Sequence, residues 1–277
     1  MNNLSDQITA CLVVHNEEAV IERCLQSLEG ITERIVVVHD GACKDETLAI
    51  CEKYGCEIYV RPWVGMCEGH RVFSFEQAKT PWILLIDADE YLSEGLKKAL
   101  PDLVKKNDIS AYDFYWPYWD GSRQRTTTWP LKRALFRRDK FSYLAFPHGA
   151  IHARGASQQL PLVLEHRPLY DNFSAEAYKA KHKKWIGIHA DYFLKDWDSL
   201  PRYPEHAKEL KPNYAILRKW PRLAAPYVFL YHFAGLWCLG GWKAGRIGLR
   251  NAFFQASYYF KLGFEISRQK KARLRSE

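Results

Sequence analysis

Three acids fall within four positions at Asp87-Ala88-Asp89-Glu90, directly after the apolar run Trp82–Ile86. Carboxylates crowded at the end of a buried strand repel one another and resist ionisation. A divalent cation relieves that repulsion: Mg2+ or Mn2+ prefers carboxylate oxygen, keeps several waters and completes its shell with substrate phosphates. Asp87 and Asp89 are therefore candidate ligands of a metal–diphosphate site; the alternative is an acidic turn with solvated side chains. Asp40 closes an earlier apolar run in "VVVHDGACKDET" and is either a turn residue or an acceptor for the base or ribose of a nucleotide. Asn16 and Glu17 follow "CLVVH" and are placed to line the same crevice, whereas Glu18 favours a helix start. Arg71, in the helix before the acidic motif, either faces phosphate or is solvated. Neither G-x-G-x-x-G nor G-x-x-x-x-G-K-[ST] occurs, so dinucleotide-fingerprint and P-loop chemistry are not expected.

These residues need strand ends to hold them, and the first ninety positions supply a strand–helix rhythm. The spacing predicts strands over 8–14, 34–40, 56–62 and 82–87, with helices over 17–30, 44–55 and 66–78 between them. Short loops and continuous apolar strands predict a parallel sheet covered on both faces, with ligands beyond the carboxyl ends of its strands. A helix near 93–106 ends this rhythm. "AYDFYWPYWDG" and "TWPLKRALFRRD" read as longer antiparallel strands, then a loop-rich, histidine-bearing stretch, then a helix over 174–195. The expected organisation is a domain over 1–197, divided at residue 90 into a nucleotide-binding half and an acceptor half, a connector at 198–213 and a helical tail at 214–277.

Three segments together carry a family resemblance: "CLVVHNEEAVIERCLQSL", "IVVVHDGACKDET" and "WILLIDADE". They resemble the successive signatures of family 2 glycosyltransferases with the GT-A fold, and most closely the bacterial subgroup that glycosylates lipopolysaccharide core or other envelope glycans. "RALFRRD", "PHGAIHARG" and "LEHRPLYDNFSAEAYKAK" extend the resemblance over most of the chain. It implies an α/β fold, a mixed sheet flanked by helices, and inverting transfer of a hexose, glucose by default, from a nucleotide diphosphate donor, with UDP favoured. It further implies that Asp40 contacts the nucleoside, that Asp89 helped by Asp87 binds Mn2+ or Mg2+, and that His166 adds a metal or phosphate contact. The subgroup has His-Glu where this chain has His148-Gly149. The general base is thus left open among His148, Asp120 and Glu165, with His148 first because an imidazole suits proton acceptance. A non-catalytic nucleotide-sugar-binding protein is the alternative this departure raises.

With 47% hydrophobic and 26% charged residues, the chain can build a packed core. Its formal charge of +8 suits an acidic partner. Nucleic acid is not expected, because the basic residues are scattered or terminal and the strand-end acids repel phosphate. Seven cysteines without a metal-type spacing read as a reducing, cytosolic setting, and no signal peptide is indicated. The stretch 223–242 has no formal charge but is interrupted by Pro226 and Gly240-Gly241. Its Tyr and Trp residues suit a membrane boundary. With 249–266 it predicts a helix pair on, or dipping into, one leaflet, beside the basic end "SRQKKARLRSE"; a buried hairpin or a homo-oligomer contact is the alternative. The expected location is cytoplasmic, peripheral on the inner face of the cell membrane, with a glycan or glycolipid acceptor and an anionic membrane surface as partners.

Overall fold

The computed structural model describes residues 4–171, 173–205 and 212–276. The strands β1 (Ile8–Val14), β2 (Arg34–Asp40), β3 (Glu57–Arg61) and β4 (Trp82–Leu85) run parallel in the order β3-β2-β1-β4. Between them lie the helices α1 (Glu18–Leu28), α2 (Thr47–Lys53) and α3 (Glu68–Gln77). Period-two alternation sends each strand's apolar residues to both faces. Ile8, Ala10, Leu12, Trp82 and Leu84 join one core with Ile21 and Leu25 of α1. Cys11, Val13, Ile83 and Leu85 join another with Val72 and Phe75 of α3.

The expected rhythm is found over this half, and the sheet then continues beyond it. After β5 (Glu90–Leu92) and α4 (Glu94–Leu103), which Ser93 caps by accepting from the Leu96 N–H at 3.2 Å, come β6 (Ile109–Tyr115) and β7 (Leu131–Arg137). β7 lies antiparallel between β4 and β6. β8 (Phe141–Leu144) and β9 (His152–Ala153) belong to a small second sheet, and β10 (Ala156–His166) completes the large one with β5 in the order β4-β7-β6-β10-β5. The stretch read as loop-rich thus contains an 11-residue strand. Its register shifts at Pro161, where the missing N–H interrupts the ladder.

The described residues form two compact units, which differ from the expected division at 197 and 213. The sheet unit runs to Tyr170 and takes in the stretch from Pro201, where β11 (Arg202–Tyr203) pairs with β8. The helical unit begins at Asp171. It comprises α5 (Ala175–Leu194), α6 (Pro212–Lys219), α7 (Pro221–Cys238) and α8 (Gly245–Ser276). α5 belongs with the tail because its residues are tied to α8: Gln269 donates to the Gly187 carbonyl at 2.9 Å, and His189 Nδ1 lies 3.0 Å from the Tyr258 hydroxyl. Part of the expected connector, 206–211, lies outside the described residues. Among the described residues no single helix is long and apolar enough to cross a membrane; α7 and the helical stretch after it, Gly241–Arg275, qualify only as a pair bent by 70°.

Candidate active site

Alternation along β4 carries Asp87 to the side of Ile83 and Leu85, where α3 lies. The β4–β7 register pairs Leu84 with Leu135, and continuing it brings Lys132 level with Asp87. The consequence is an ion-pair cluster. Lys132 Nζ lies 2.7 Å from Asp87 Oδ2 and 2.6 and 2.7 Å from the two Glu90 oxygens. Arg71 Nη2 reaches Asp87 Oδ1 at 3.3 Å. The Trp116 indole donates to Glu90 at 2.5 Å, and the Asp87 N–H donates to Glu90 at 2.9 Å. Glu90 is fully buried. Burial pushes its carboxyl up to about 7 against the pull of Lys132, with Asp87 and Asp89 adding to the rise. Burial would also raise Asp87, but Lys132 and then Arg71 hold it below the usual carboxylate range.

The repulsion expected at the acidic motif is therefore met first by two of the chain's own cations. Two expectations bear on this geometry. Arg71, expected to face phosphate or solvent, is largely covered and paired with Asp87. Asp87, expected as a metal ligand, is neutralised by Lys132 and Arg71. Sequence reasoning missed Lys132 and Trp116 and gave Glu90 no role of its own. The available signal was a lysine interrupting an apolar strand in "LKRALF", but its partner lies 45 positions away.

Asp89 differs from its neighbours. Its side chain is 28% exposed, and among the described residues no lysine or arginine pairs with it. His166 Nε2 lies 3.3 Å from Asp89 Oδ2. The antiparallel register sets His166 opposite Glu90, and its ring stacks on Trp116 with centroids 3.8 Å apart. The Arg167 N–H donates to the Asp89 carbonyl at 2.8 Å, fixing the turn. Partial burial, then the charges of Asp89 and Glu17, raise the Tyr170 hydroxyl's pKa, so Glu17 and Asp89 act on one ring.

At the ends of β1 and β2, side chains are committed to one another. Asp40 accepts from the Val64 and Gly65 N–H groups at 2.7 and 2.9 Å and lies 3.0 Å from His70 Nε2. An ionised carboxylate offers about four acceptor sites. Asp40 is thus largely occupied in fixing the turn after β3, beyond the open acceptor role expected of it. Asn16 has a left-handed backbone, φ 54°, a conformation asparagine tolerates. Its amide joins His15 Nε2 at 3.2 Å to the Lys44 N–H at 2.9 Å. The exposed Trp63 ring packs on His15, centroids 4.5 Å apart, and lies where a Cβ on Gly41 would meet its Cε3 at 3.4 Å.

The three candidate bases part company. Asp120 closes an exposed hairpin: it accepts from the Ser122 and Arg123 N–H groups at 3.0 and 2.9 Å and from Arg125 at 3.0 Å. Those bonds stabilise its anion and hold its pKa low, which makes it a poor proton acceptor. Glu165 pairs with Tyr91 across the ladder, one position out of phase with His166, so it faces the opposite side of the sheet. There it bonds Arg167 at 2.7 Å and lines a recess of about 340 Å3 with Arg23, Tyr91 and Lys97. Neither fits the role expected of it. His148 is exposed on a left-handed backbone, φ 57°, and its N–H donates to the buried Glu68 at 3.1 Å. Glu68 would be raised by burial, but the Arg71 and His148 charges keep it lowered. Glu68 and Arg71 thus connect the His148 loop to the acidic cluster.

The metal expectation can be tested on these donors. Among the described residues no group of three or more His, Cys, Asp or Glu side chains is gathered closely enough to hold an ion, so Asp87, Asp89 and His166 are not a three-residue site. Asp89 and His166 together fit a cation that takes one carboxylate oxygen and one imidazole nitrogen from protein and its other ligands from phosphate and water.

Residues 9–160 match the family model described as "Glycosyl transferase family 2". An uncharacterized glycosyltransferase, RC0292 of Rickettsia conorii, is 32% identical over 41% of this chain and 39% of its own length. The lipopolysaccharide core biosynthesis glycosyltransferase LpsC of Rhizobium meliloti is 34% identical over 36% of this chain and 38% of its own length. The chain thus spans under two fifths of the curated relatives it matches. S. aureus TarS 1–349 in complex with UDP-GlcNAc covers 95% of this chain and 92% of its own, at 12% identity and a TM-score of 0.47. The mixed sheet flanked by helices is the GT-A-like architecture that the sequence led us to expect, and the chain belongs to glycosyl transferase family 2.

Proposed function

We propose that the chain transfers a hexose, glucose by default, from a nucleoside diphosphate sugar to a glycan or glycolipid acceptor of the lipopolysaccharide-core class, with inversion at the anomeric carbon. UDP is the favoured nucleotide. The observation that carries this reading is the asymmetry of the acidic cluster. Lys132 and Arg71 neutralise two of three carboxylates and leave Asp89, beside His166, half-open. With all three acids ionised, the cluster retains one net negative charge. That suits one divalent cation, and the resulting positive balance faces an anionic diphosphate.

Asp89 and His166 would hold Mn2+ or Mg2+, which when bound supplies electrostatic stabilisation to charge growing on the leaving diphosphate. Trp116 and Arg167 fix the two ligands in place. An acceptor hydroxyl attacks the anomeric carbon from the face opposite the diphosphate. A carbon–oxygen bond forms, the bond to diphosphate breaks, and the hydroxyl proton passes to His148. The same reading places the enzyme in the cytoplasm, peripheral on the inner face of the cell membrane.

The test measures release of nucleoside diphosphate from a panel of donor sugars, with and without Mn2+. Asp89→Asn should lower turnover by roughly 10²–10³, the scale of losing one electrostatic stabiliser. His166→Gln should weaken Mn2+ binding in calorimetry performed with nucleoside diphosphate present. Asp89→Asn turnover within threefold of the parent would refute the assignment.

A further inference from the structure

The helical unit has a packed apolar interior and an outer apolar surface that this packing does not use. Inside, Leu217, Ala225, Val228, Ala256, Leu262 and Ile266 are buried. Gly263 permits close approach, since a Cβ there would stand 2.5 Å from the Pro221 carbonyl oxygen. Outside, Ile216, Trp220, Leu223, Tyr227 and Leu230 recur at helical spacing along α6 and α7, and they are 44–78% exposed. Leu249, Phe253, Phe260 and Phe264 form a second exposed row on α8. Phe229 meets Phe253 and Phe260 edge-on, with centroids at 5.9 and 6.4 Å, and joins the rows. Pro226, Leu230, Phe260 and Lys261 line a groove of about 410 Å3 between them. Contiguous apolar surface of this kind marks an interaction site.

Its chemistry selects the partner. From Tyr214 to the last residue the sequence has twelve Lys and Arg against two Glu. Glu265 is already bonded to Arg268 at 2.6 and 2.8 Å. Cations stand beside the exposed rings: Lys219 by Trp220 at 5.7 Å, Lys243 by Trp242 at 5.7 Å and Arg222 by Phe264 at 5.8 Å. Tryptophan with lysine at the margin of an apolar face suits the boundary between acyl chains and anionic headgroups. A second copy would set like charges against each other. We propose that the outer face of α6–α8 docks on an anionic lipid bilayer, lying in the plane of one leaflet and not crossing it. The proposal is independent of the transfer reaction.

The test is co-sedimentation of the full chain with vesicles of phosphatidylcholine alone or with one quarter phosphatidylglycerol, at low and high salt, together with tryptophan emission and sedimentation velocity without lipid. Binding to anionic vesicles is expected, weakened at least tenfold on neutral vesicles or in 0.5 M salt (), with a blue shift of emission. The bound protein should be removed by a salt wash, as a spanning segment would not be. Leu223→Glu with Leu230→Glu should abolish binding while leaving helical circular dichroism and donor turnover unchanged. Binding that survives both substitutions, resists the salt wash or ignores lipid charge overturns the proposal. So does a lipid-independent dimer that the same substitutions make monomeric, which would assign the face to a second copy. Absence of donor turnover in the unaltered chain with vesicle binding intact would refute the proposed reaction and leave this surface standing.

Discussion

Lys132→Met removes the group that makes the acidic cluster tolerable. At 2.7 Å and an effective dielectric of about 20, each Lys132–carboxylate contact is worth ~6 kcal/mol of Coulomb attraction, from which desolvation takes most. Breaking a buried pair by deleting one partner costs about 3–5 kcal/mol, and that is the loss expected at pH 8. The loss should depend on pH. Glu90 is already raised to about 7, and Lys132 is the main group opposing the rise. Without Lys132 the carboxyl goes higher still, while in the unfolded chain it stays near 4.3. A carboxyl raised in the fold binds more protons folded than unfolded, so stability falls as pH rises between the two values. The deficit should therefore shrink to below about 2 kcal/mol at pH 5.5, where Glu90 is protonated and needs no counter-ion. Hydrogen exchange of β4 and β7 peptides, read by mass spectrometry, isolates the sheet unit from the helical one. Adding Glu90→Gln should restore at least about 2 kcal/mol at pH 8, since the uncompensated charge is gone. An equal deficit at both pH values, or no rescue by Glu90→Gln, would refute the reasoning.

Other substitutions probe separate parts of the chain. Asp40→Ala strands the Val64 and Gly65 donors and should cost about 2–4 kcal/mol, seen as faster exchange of the turn after β3. His182 is buried, and burial first and Lys261 second lower its pKa to about 4. Its unfolded value is near 6.5, so the helical unit should lose up to about 3 kcal/mol as pH falls from 6.5 to 4, and His182→Phe should flatten that acid limb in thermal unfolding. Gly248→Ala would put a Cβ 1.8 Å from the Gly241 carbonyl oxygen and should lower the melting temperature of the helical unit. Gly235→Ala, in α7 with open space around it, should gain about 0.5–1 kcal/mol by helix propensity alone. His148→Gln should reduce transfer roughly 10²–10⁴-fold and remove the imidazole limb of its pH profile.

What could be read from the sequence was what local pattern determines. β1, β2 and β4 are continuous apolar runs because both faces are covered, and their carboxyl ends mark the crevice without any knowledge of the remaining sheet. β10 was invisible because its alternation is polar on the exposed side and Pro161 breaks its period. β5 is only three residues long. The acids were legible, but the cations that neutralise them were not: Lys132 meets Asp87 through the β4–β7 register, which no spacing along the chain encodes. Glu165 and His166 show the same limit. Adjacent in sequence and equally suited to chemistry, they are separated by one step of a strand's pleat, and only the pairing with β5 says which one faces the acids. α5 groups with the tail and not with the preceding sheet, a placement its polar surface conceals, because it rests on the bonds that Gly187 and His189 make with α8.

A built-in ammonium at the acidic motif also separates assembly from loading. In a closed structural zinc site the ion is part of the folding free energy, and chelation unfolds the domain. Here Lys132 and Arg71 hold Asp87 and Glu90 in place with no ion required, so the crevice keeps its shape unloaded. If the proposed Asp89–His166 metal is bound, treatment with EDTA should abolish donor turnover while leaving the melting profile untouched, so that loading requires no refolding step.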